Sequence, residues 1–214
     1  GEAMDTAGYP GLWSDLVPDG SLAQIISLVL DGWDTFKRPA SHETEPPITK
    51  RFCCWLRSQR DRTRLPLRID CEVPVLDATA GREVGRMDLT FSYGWHEKVY
   101  FAFECKRLNV VDATKRRRSL ASEYVHEGMM RYVEGKYARG LDKGGMLGYV
   151  MDGDVPAAIG AVGRSITEQR AALKLKNGGL ELSSILPDDA RVRETRHSFD
   201  SRRFVIHHIF VAVG

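Results

Sequence analysis

The segment Val99-Tyr100-Phe101-Ala102-Phe103-Glu104-Cys105-Lys106 constrains the fold of this chain most strongly. Strand side chains alternate with a period of two, so Val99, Phe101, Phe103 and Cys105 point one way. Tyr100, Ala102, Glu104 and Lys106 point the other way. The first five residues are apolar on both faces, which describes a strand covered from both sides. The strand then ends in Glu104 and Lys106, on one face and about 7 Å apart. A carboxylate at the end of such a strand is costly unless it is paired or bound to metal.

The preceding segment, Val84-Gly85-Arg86-Met87-Asp88-Leu89-Thr90-Phe91, also reads as a strand, and Gly94-Trp95-His96-Glu97 reads as the turn between the two. A three-residue loop at 95–97 pairs Gly94 with Lys98 and sets Asp88 opposite Glu104, with Cβ atoms about 5 Å apart. A slip of one residue would turn Asp88 to the other face. Two acids hold a hard divalent cation through oxygen, and a nearby lysine offers a point charge to water and phosphate. The plainer reading is a solvated hairpin face with modest cross-strand ion pairs.

The flanking segments supply the rest of the fold. Ser21 can cap a helix over 22–36 with Leu22, Ile25, Ile26, Val29 and Leu30 on one face. A second helix is expected over 48–60, with Ile48, Phe52, Trp55 and Leu56 as its apolar stripe. Residues 68–77 alternate as a strand, with Ile69, Cys71, Val73 and Val75 on one side. A long helix is expected over 116–138, ended by Gly140 and by a turn at Gly144-Gly145. A short buried strand follows at 146–151, then a helix from Pro156 to about 174. Asn177-Gly178-Gly179 reads as a turn, the charged stretch 187–202 as loop, and 203–213 as a closing strand. His207 and His208 fall on opposite faces of that strand, one in the core and one exposed. A helix between two strands favours a parallel crossover, so the expected fold class is α/β, a mixed sheet with helices on its faces.

Length and charge narrow the class. The chain has 214 residues, enough for a single domain with a sizeable core. With 31 basic and 29 acidic residues the net charge is +2, so any affinity for nucleic acid must come from a local basic patch. No apolar run is long enough for a membrane span, so no membrane partner is expected. The polar N-terminus, with Asp5 and Pro10, carries no signal-peptide pattern. The cysteines at 53, 54, 71 and 105 show neither CxxC spacing nor a disulfide framework, which fits a reducing cytoplasm.

The αβββαβ order, with Met87-Asp88 on the second strand and Glu104-Cys105-Lys106 on the third, resembles the PD-(D/E)XK, or restriction-endonuclease-like, nuclease superfamily. The proline of the family name is replaced here by Met87. The resemblance covers residues 43–152 as a catalytic core, with 1–42 as an N-terminal helical extension and 153–214 as a C-terminal helix and strand of the same domain. It implies Mg²⁺-dependent hydrolysis of a phosphodiester, usually in DNA, with Mn²⁺ able to substitute. Asp88, Glu104 and the Cys105 carbonyl would hold the metal, and Lys106 would position the attacking water. The stretch Glu45-Pro46-Pro47-Ile48-Thr49 is similar to the acid-bearing helix start of many members, so Glu45 would be a third carboxylate, with Glu43 as its neighbour. An acid at that place is also favoured by the helix dipole alone.

Arg107, Lys115, Arg116, Arg117 and Arg118 follow the motif strand as a candidate phosphate-binding patch. The expected partner is DNA, with RNA or a branched junction as the alternative substrate. Any sequence selectivity would come from loops, the terminal segments, a homodimer or a partner subunit. A role in restriction, anti-phage defence or repair follows only by analogy of fold. The rival reading is an inactive binding module of the same fold.

Overall fold

The computed structural model describes residues 19–77, 79–93, 100–112, 114–176, 178–199 and 202–214. The expected turn at 94–97, residues 1–18 and Asn177 lie outside them. Helix α1 (Asp19–Thr35) and helix α2 (Glu45–Thr63) precede three strands, β1 (Leu67–Asp77), β2 (Arg82–Tyr93) and β3 (Tyr100–Leu108). A small hairpin follows, β4 (Val110–Val111) with β5 (Arg117–Arg118), then a composite helix over 121–133. Strand β6 (Lys143–Val150), a helix over Val155–Glu168, β7 (Glu181–Leu182), β8 (Val192–Phe199) and β9 (Arg202–Ala212) complete the chain.

Seven strands form one mixed sheet in the order β1-β2-β3-β6-β9-β8-β7. The centre, β3-β6-β9, is parallel, and the flanking pairs are antiparallel. Helices cover both faces, as a parallel centre requires. On one side Leu22, Ile25, Ile26 and Val29 of α1 and Ile48, Phe52 and Leu56 of α2 bury Phe101, Phe103 and Cys105 of β3. On the other side Tyr124, Val125, Met129 and Tyr132, with Ala158, Val162 and Ile166, bury Ala102, Met146, Ile206 and Phe210. The alternation expected for β3 is therefore realised, with odd-numbered residues in one layer and Ala102 in the other. Helix α1 belongs to this core. Its Trp33 stacks on Tyr149 at 5.2 Å and donates its indole N–H to the Ala212 carbonyl at 2.8 Å. No helix among the described residues is long and apolar enough to cross a membrane.

Several local expectations are corrected. The long helix over 116–138 is shorter. Arg117 and Arg118 pair with Val111 and Val110, Leu120 takes a left-handed φ of 55°, and helix begins only at Ala121. It widens into a π-helix over Tyr124–Met129 and ends at Val133. Gly144 and Gly145 do not form a turn but lie inside β6. A Cβ at Gly145 would come within 2.4 Å of the Phe103 ring, and one at Gly144 within 2.5 Å of the Tyr132 ring. Strand β1 does not keep one side. Ile69 and Cys71 face the α1–α2 layer and Val73 and Val75 the opposite one, with Glu72 at φ 54° turning the strand over. Residues 192–199 of the expected charged loop form β8, and the helix after Pro156 stops at Glu168 rather than near 174.

Strand β8 was hidden because its buried side chains are polar. Glu194, Thr195 and His197 are all buried, and buried polar groups persist when each finds a partner. Glu194 accepts from the Ser184 N–H and hydroxyl, each at 2.7 Å, and pairs with Arg196. His197 and both histidines of β9 are buried as well, so the expected exposed member of the His207–His208 pair is not found.

One buried hydrogen-bond chain has its direction set by its end. The Leu173 carbonyl can only accept, so His197 Nδ1 carries the proton at 2.7 Å. Burial depresses the His197 pKa, keeping the ring neutral and Nε2 an acceptor for the Thr195 hydroxyl at 2.8 Å. Thr195 Oγ1 then accepts from His208 Nε2 at 3.0 Å, and His208 Nδ1 accepts from the Tyr124 hydroxyl at 2.9 Å. The chain ties the composite helix to β9, β8 and the segment at Leu173. Thr195→Val leaves one buried donor and one buried acceptor unpaired, and is expected to lower stability by about 2–4 kcal/mol in urea unfolding. Thr195→Ser, which keeps the hydroxyl, should lose clearly less.

Candidate functional site

The site forms where β2 and β3 part. Their pairing runs from Ser92 opposite Tyr100 to Leu89 opposite Phe103 and stops there. This is the register that places Asp88 and Glu104 across from one another. Beyond it β3 stays paired with β6 as far as Leu108, while β2 stays paired with β1. Met87 and Leu89 face opposite layers, so the β1–β2 hairpin turns over at Asp88. Asp88 Oδ2 accepts the Cys105 N–H at 2.7 Å and satisfies the donor that the interrupted ladder leaves.

Four ionisable groups expected from the sequence meet in this gap. Glu104 is 1% exposed. Its Oε1 is 2.6 Å from Lys106 Nζ. The Lys106 ammonium also donates to the Cys105 carbonyl at 3.1 Å and lies 3.5 Å from Glu45 Oε1. Glu45 occupies the first turn of α2, next to Pro46 and Pro47. Glu43 turns away. Its carboxylate pairs with Arg51 at 2.6 Å, and its carbonyl accepts from Arg107 at 3.1 Å. Of the two candidate third acids, Glu45 is therefore the one beside Lys106. Behind the site Tyr149 lies 3.1 Å from the Thr49 hydroxyl and donates to Cys105 Sγ at 3.6 Å, holding Cys105 from the apolar side.

The composite helix adds a residue that the sequence could not single out. Arg131 Nε is 3.2 Å from Glu104 Oε1 and donates to the Glu127 carbonyl at 2.7 Å. Its Nη1 donates to the Tyr137 hydroxyl, which donates in turn to the Arg86 carbonyl. The helix approaches closely because of Gly128. A Cβ there would lie 2.4 Å from Met146 Cε and 3.6 Å from Lys106 Cγ. Among the polar residues of this helix, only contact with Glu104 distinguishes Arg131, and no local pattern encodes that contact.

The basic patch is divided. Arg117 pairs with Asp152 at 2.9 Å and reaches Asp154, and Arg118 lies 3.5 Å from Glu123. Arg107 is engaged with Glu43. Lys115 and Arg116 are exposed at the tip of the β4–β5 hairpin, and among the described residues neither forms an ion pair. Asp112 fixes that tip by accepting from the Thr114 and Arg116 N–H groups at 2.8 and 2.9 Å.

Three carboxyl groups face two cations in the gap, so full ionisation leaves an uncompensated negative charge in a buried place. Burial and the neighbouring Asp88 push Glu104 up to about 7, against the opposing pull of Lys106 and Arg131. Burial also raises Asp88 and Glu45. For Lys106 burial alone would favour the neutral amine, but Glu104 and Glu45 outweigh it and hold the pKa above its ordinary value. Glu104 Oε2 is buried and has no hydrogen-bond partner among the described residues. Among the described residues no group of three or more His, Cys, Asp and Glu side chains is arranged to cage a metal ion. A magnesium ion needs less, since it binds through one or two carboxylates and keeps several waters. The unpartnered Oε2, the excess negative charge and the all-oxygen donors Asp88, Glu104 and Cys105 carbonyl fit such an ion.

No family model, curated protein or solved structure matches this chain.

The raised carboxyl pKa values set a pH dependence. In the folded protein Glu104 holds its proton up to about pH 7, whereas an unfolded glutamate loses it near 4.5. The stability this contributes is complete below the unfolded value and disappears as pH rises through the folded one. In chelator-treated protein the melting temperature should therefore fall between pH 5 and 8, by up to about 3 kcal/mol in stability. Glu104→Gln should flatten most of that slope.

Proposed function

We propose that this chain is a Mg²⁺-dependent nuclease that hydrolyses phosphodiester bonds in DNA, on a restriction-endonuclease-like core formed by α2, β1, β2, β3, the composite helix and β6. The observation that carries the reading is the β2–β3 register, which sets Asp88 across from Glu104 just where the two strands part, with Lys106 beside Glu104 and, among the described residues, Glu104 Oε2 left unpartnered. Asp88, Glu104 and the Cys105 carbonyl would hold the ion. When bound, Mg²⁺ supplies charge stabilisation at the phosphoryl oxygens and activates water.

The protein's own residues do the rest. Lys106 Nζ is a compact donor positioned beside both acids, suited to orient a water and to face charge developing on the phosphoryl group. The water oxygen forms the new bond to phosphorus as the water gives up a proton to solvent, the bond to the leaving sugar oxygen breaks in line, and that oxygen takes a proton from solvent. Glu45, on its own helix, helps hold the lysine in place. Lys115 and Arg116 project from the hairpin that begins two residues after β3, where they can grip the backbone.

Plasmid nicking with Mg²⁺ or Mn²⁺ tests this directly. Asp88→Ala, Glu104→Gln and Lys106→Ala are each expected to slow cleavage about 100-fold or more, with melting curves that still report a folded protein. Absence of cleavage on duplex, single-stranded and branched DNA and on RNA would sink the proposal, whether or not Mn²⁺ binds. For the hairpin, Lys115→Ala and Arg116→Ala should weaken DNA binding evenly across sequences. Each should lower the slope of log affinity against log salt by about 1.

A further inference from the structure

Resting on that reading, we infer that Arg131, anchored by Tyr137, is a positioning residue that orients the Glu104 carboxylate so that Oε2 is its metal-binding atom. Two cationic side chains converge on one oxygen of this carboxylate. Lys106 Nζ is 2.6 Å and Arg131 Nε 3.2 Å from Oε1. The other oxygen, Oε2, is buried and has no hydrogen-bond partner among the described residues. A carboxylate held this way cannot exchange its two oxygens without breaking both contacts. An ionised, unpaired buried carboxylate oxygen is unfavourable, so without metal Oε2 holds a proton and is the oxygen left free to exchange it for a cation.

Arg131 is itself held rigidly. Its Nε also reaches the Glu127 carbonyl within its own helix, its Nη1 reaches Tyr137, and the Tyr137 ring lies 5.4 Å from the guanidinium carbon. Tyr137 is fixed to β2 through the Arg86 carbonyl, two residues from Asp88. The guanidinium thus links the strand that carries Asp88 to the carboxylate of Glu104. It couples the two metal-binding side chains without contacting the metal.

A positioning role and a purely electrostatic one predict opposite results. Removing a positive charge beside a cation site would by itself tighten cation binding. Losing the orientation of a ligand weakens it, commonly by about 10- to 100-fold. Mn²⁺ affinity measured by calorimetry on wild type, Arg131→Met, Arg131→Lys and Tyr137→Phe separates them. Tyr137→Phe is the sharpest probe, since every formal charge stays in place. We expect Tyr137→Phe and Arg131→Met each to weaken Mn²⁺ binding about tenfold or more. Arg131→Lys should not restore wild-type affinity, because an ammonium lacks the fork that spans Glu104 and Tyr137. It also replaces Arg131→Met should that variant fail to melt cooperatively.

In DNA cleavage kcat should fall while KM for DNA stays within about threefold. Tighter or unchanged Mn²⁺ binding in Arg131→Met, unchanged binding in Tyr137→Phe, or a rise in KM alone overturns the inference. Cleavage by wild type with variants that bind Mn²⁺ normally removes this inference and leaves the nuclease reading standing. Mn²⁺ binding without cleavage removes the nuclease reading, and the calorimetric comparison still decides the role of Arg131. A wild-type protein that binds no Mn²⁺ overturns both.

Discussion

Glu104 is a carboxylate with 1% exposure at the end of a strand covered on both faces, and much of the structure answers that single constraint. An isolated buried charge is not tolerated, so partners must come from elsewhere in the chain. Lys106 comes from the same strand, Arg131 from the composite helix and Glu45, through the lysine, from α2. The carboxylate therefore ties together three elements that the backbone ladder does not connect. The same set leaves Oε2 unpartnered and the gap short of positive charge. Structural stability alone would favour completing that set, and the proposed metal site rests on that shortfall.

The apolar layers make this arrangement rigid. Trp33 of α1 stacks on Tyr149 of β6, whose hydroxyl reaches Thr49 of α2 and Cys105 of β3. A contact chain thus runs from the first described helix to the residue between the two charged ends of the motif. On the opposite layer Gly128 and Gly144 let Met146 and Tyr132 sit where side chains would collide. Close packing of this kind transmits small displacements, so the side chains of the gap, which lie on separate strands, keep their relative positions.

Legibility in the sequence followed the range of the interactions. The β2–β3 register was readable because a period-two pattern and a short loop leave little freedom. The apolar stripes of α1 and α2 were readable for a similar reason, and the residues expected on α1 are all buried. The start of the composite helix was not. Arg116 to Arg118 look like a helix entrance, but pairing of Arg117 and Arg118 with Val111 and Val110 overrides that propensity. Strand β8 was not readable either, since its buried positions carry Glu194, Thr195 and His197, whose partners lie on other strands and loops. The choice between Glu43 and Glu45 was open in the sequence, and the contacts of Arg51 and Lys106 distinguish them.

The chain's own order determined that Glu104 and Lys106 share a face, that Asp88 stands across from them, and that the strand carrying them must be buried. Those relations need only strand periodicity and a local turn. Tertiary structure alone decided that β2 and β3 part at this point, that Glu45 is the acid beside the lysine, and that Arg131 rather than another polar residue of its helix reaches Glu104. Each depends on contacts between residues more than fifteen positions apart, set by how a twisted sheet and its covering helices come together. Sequence spacing carries no record of that geometry.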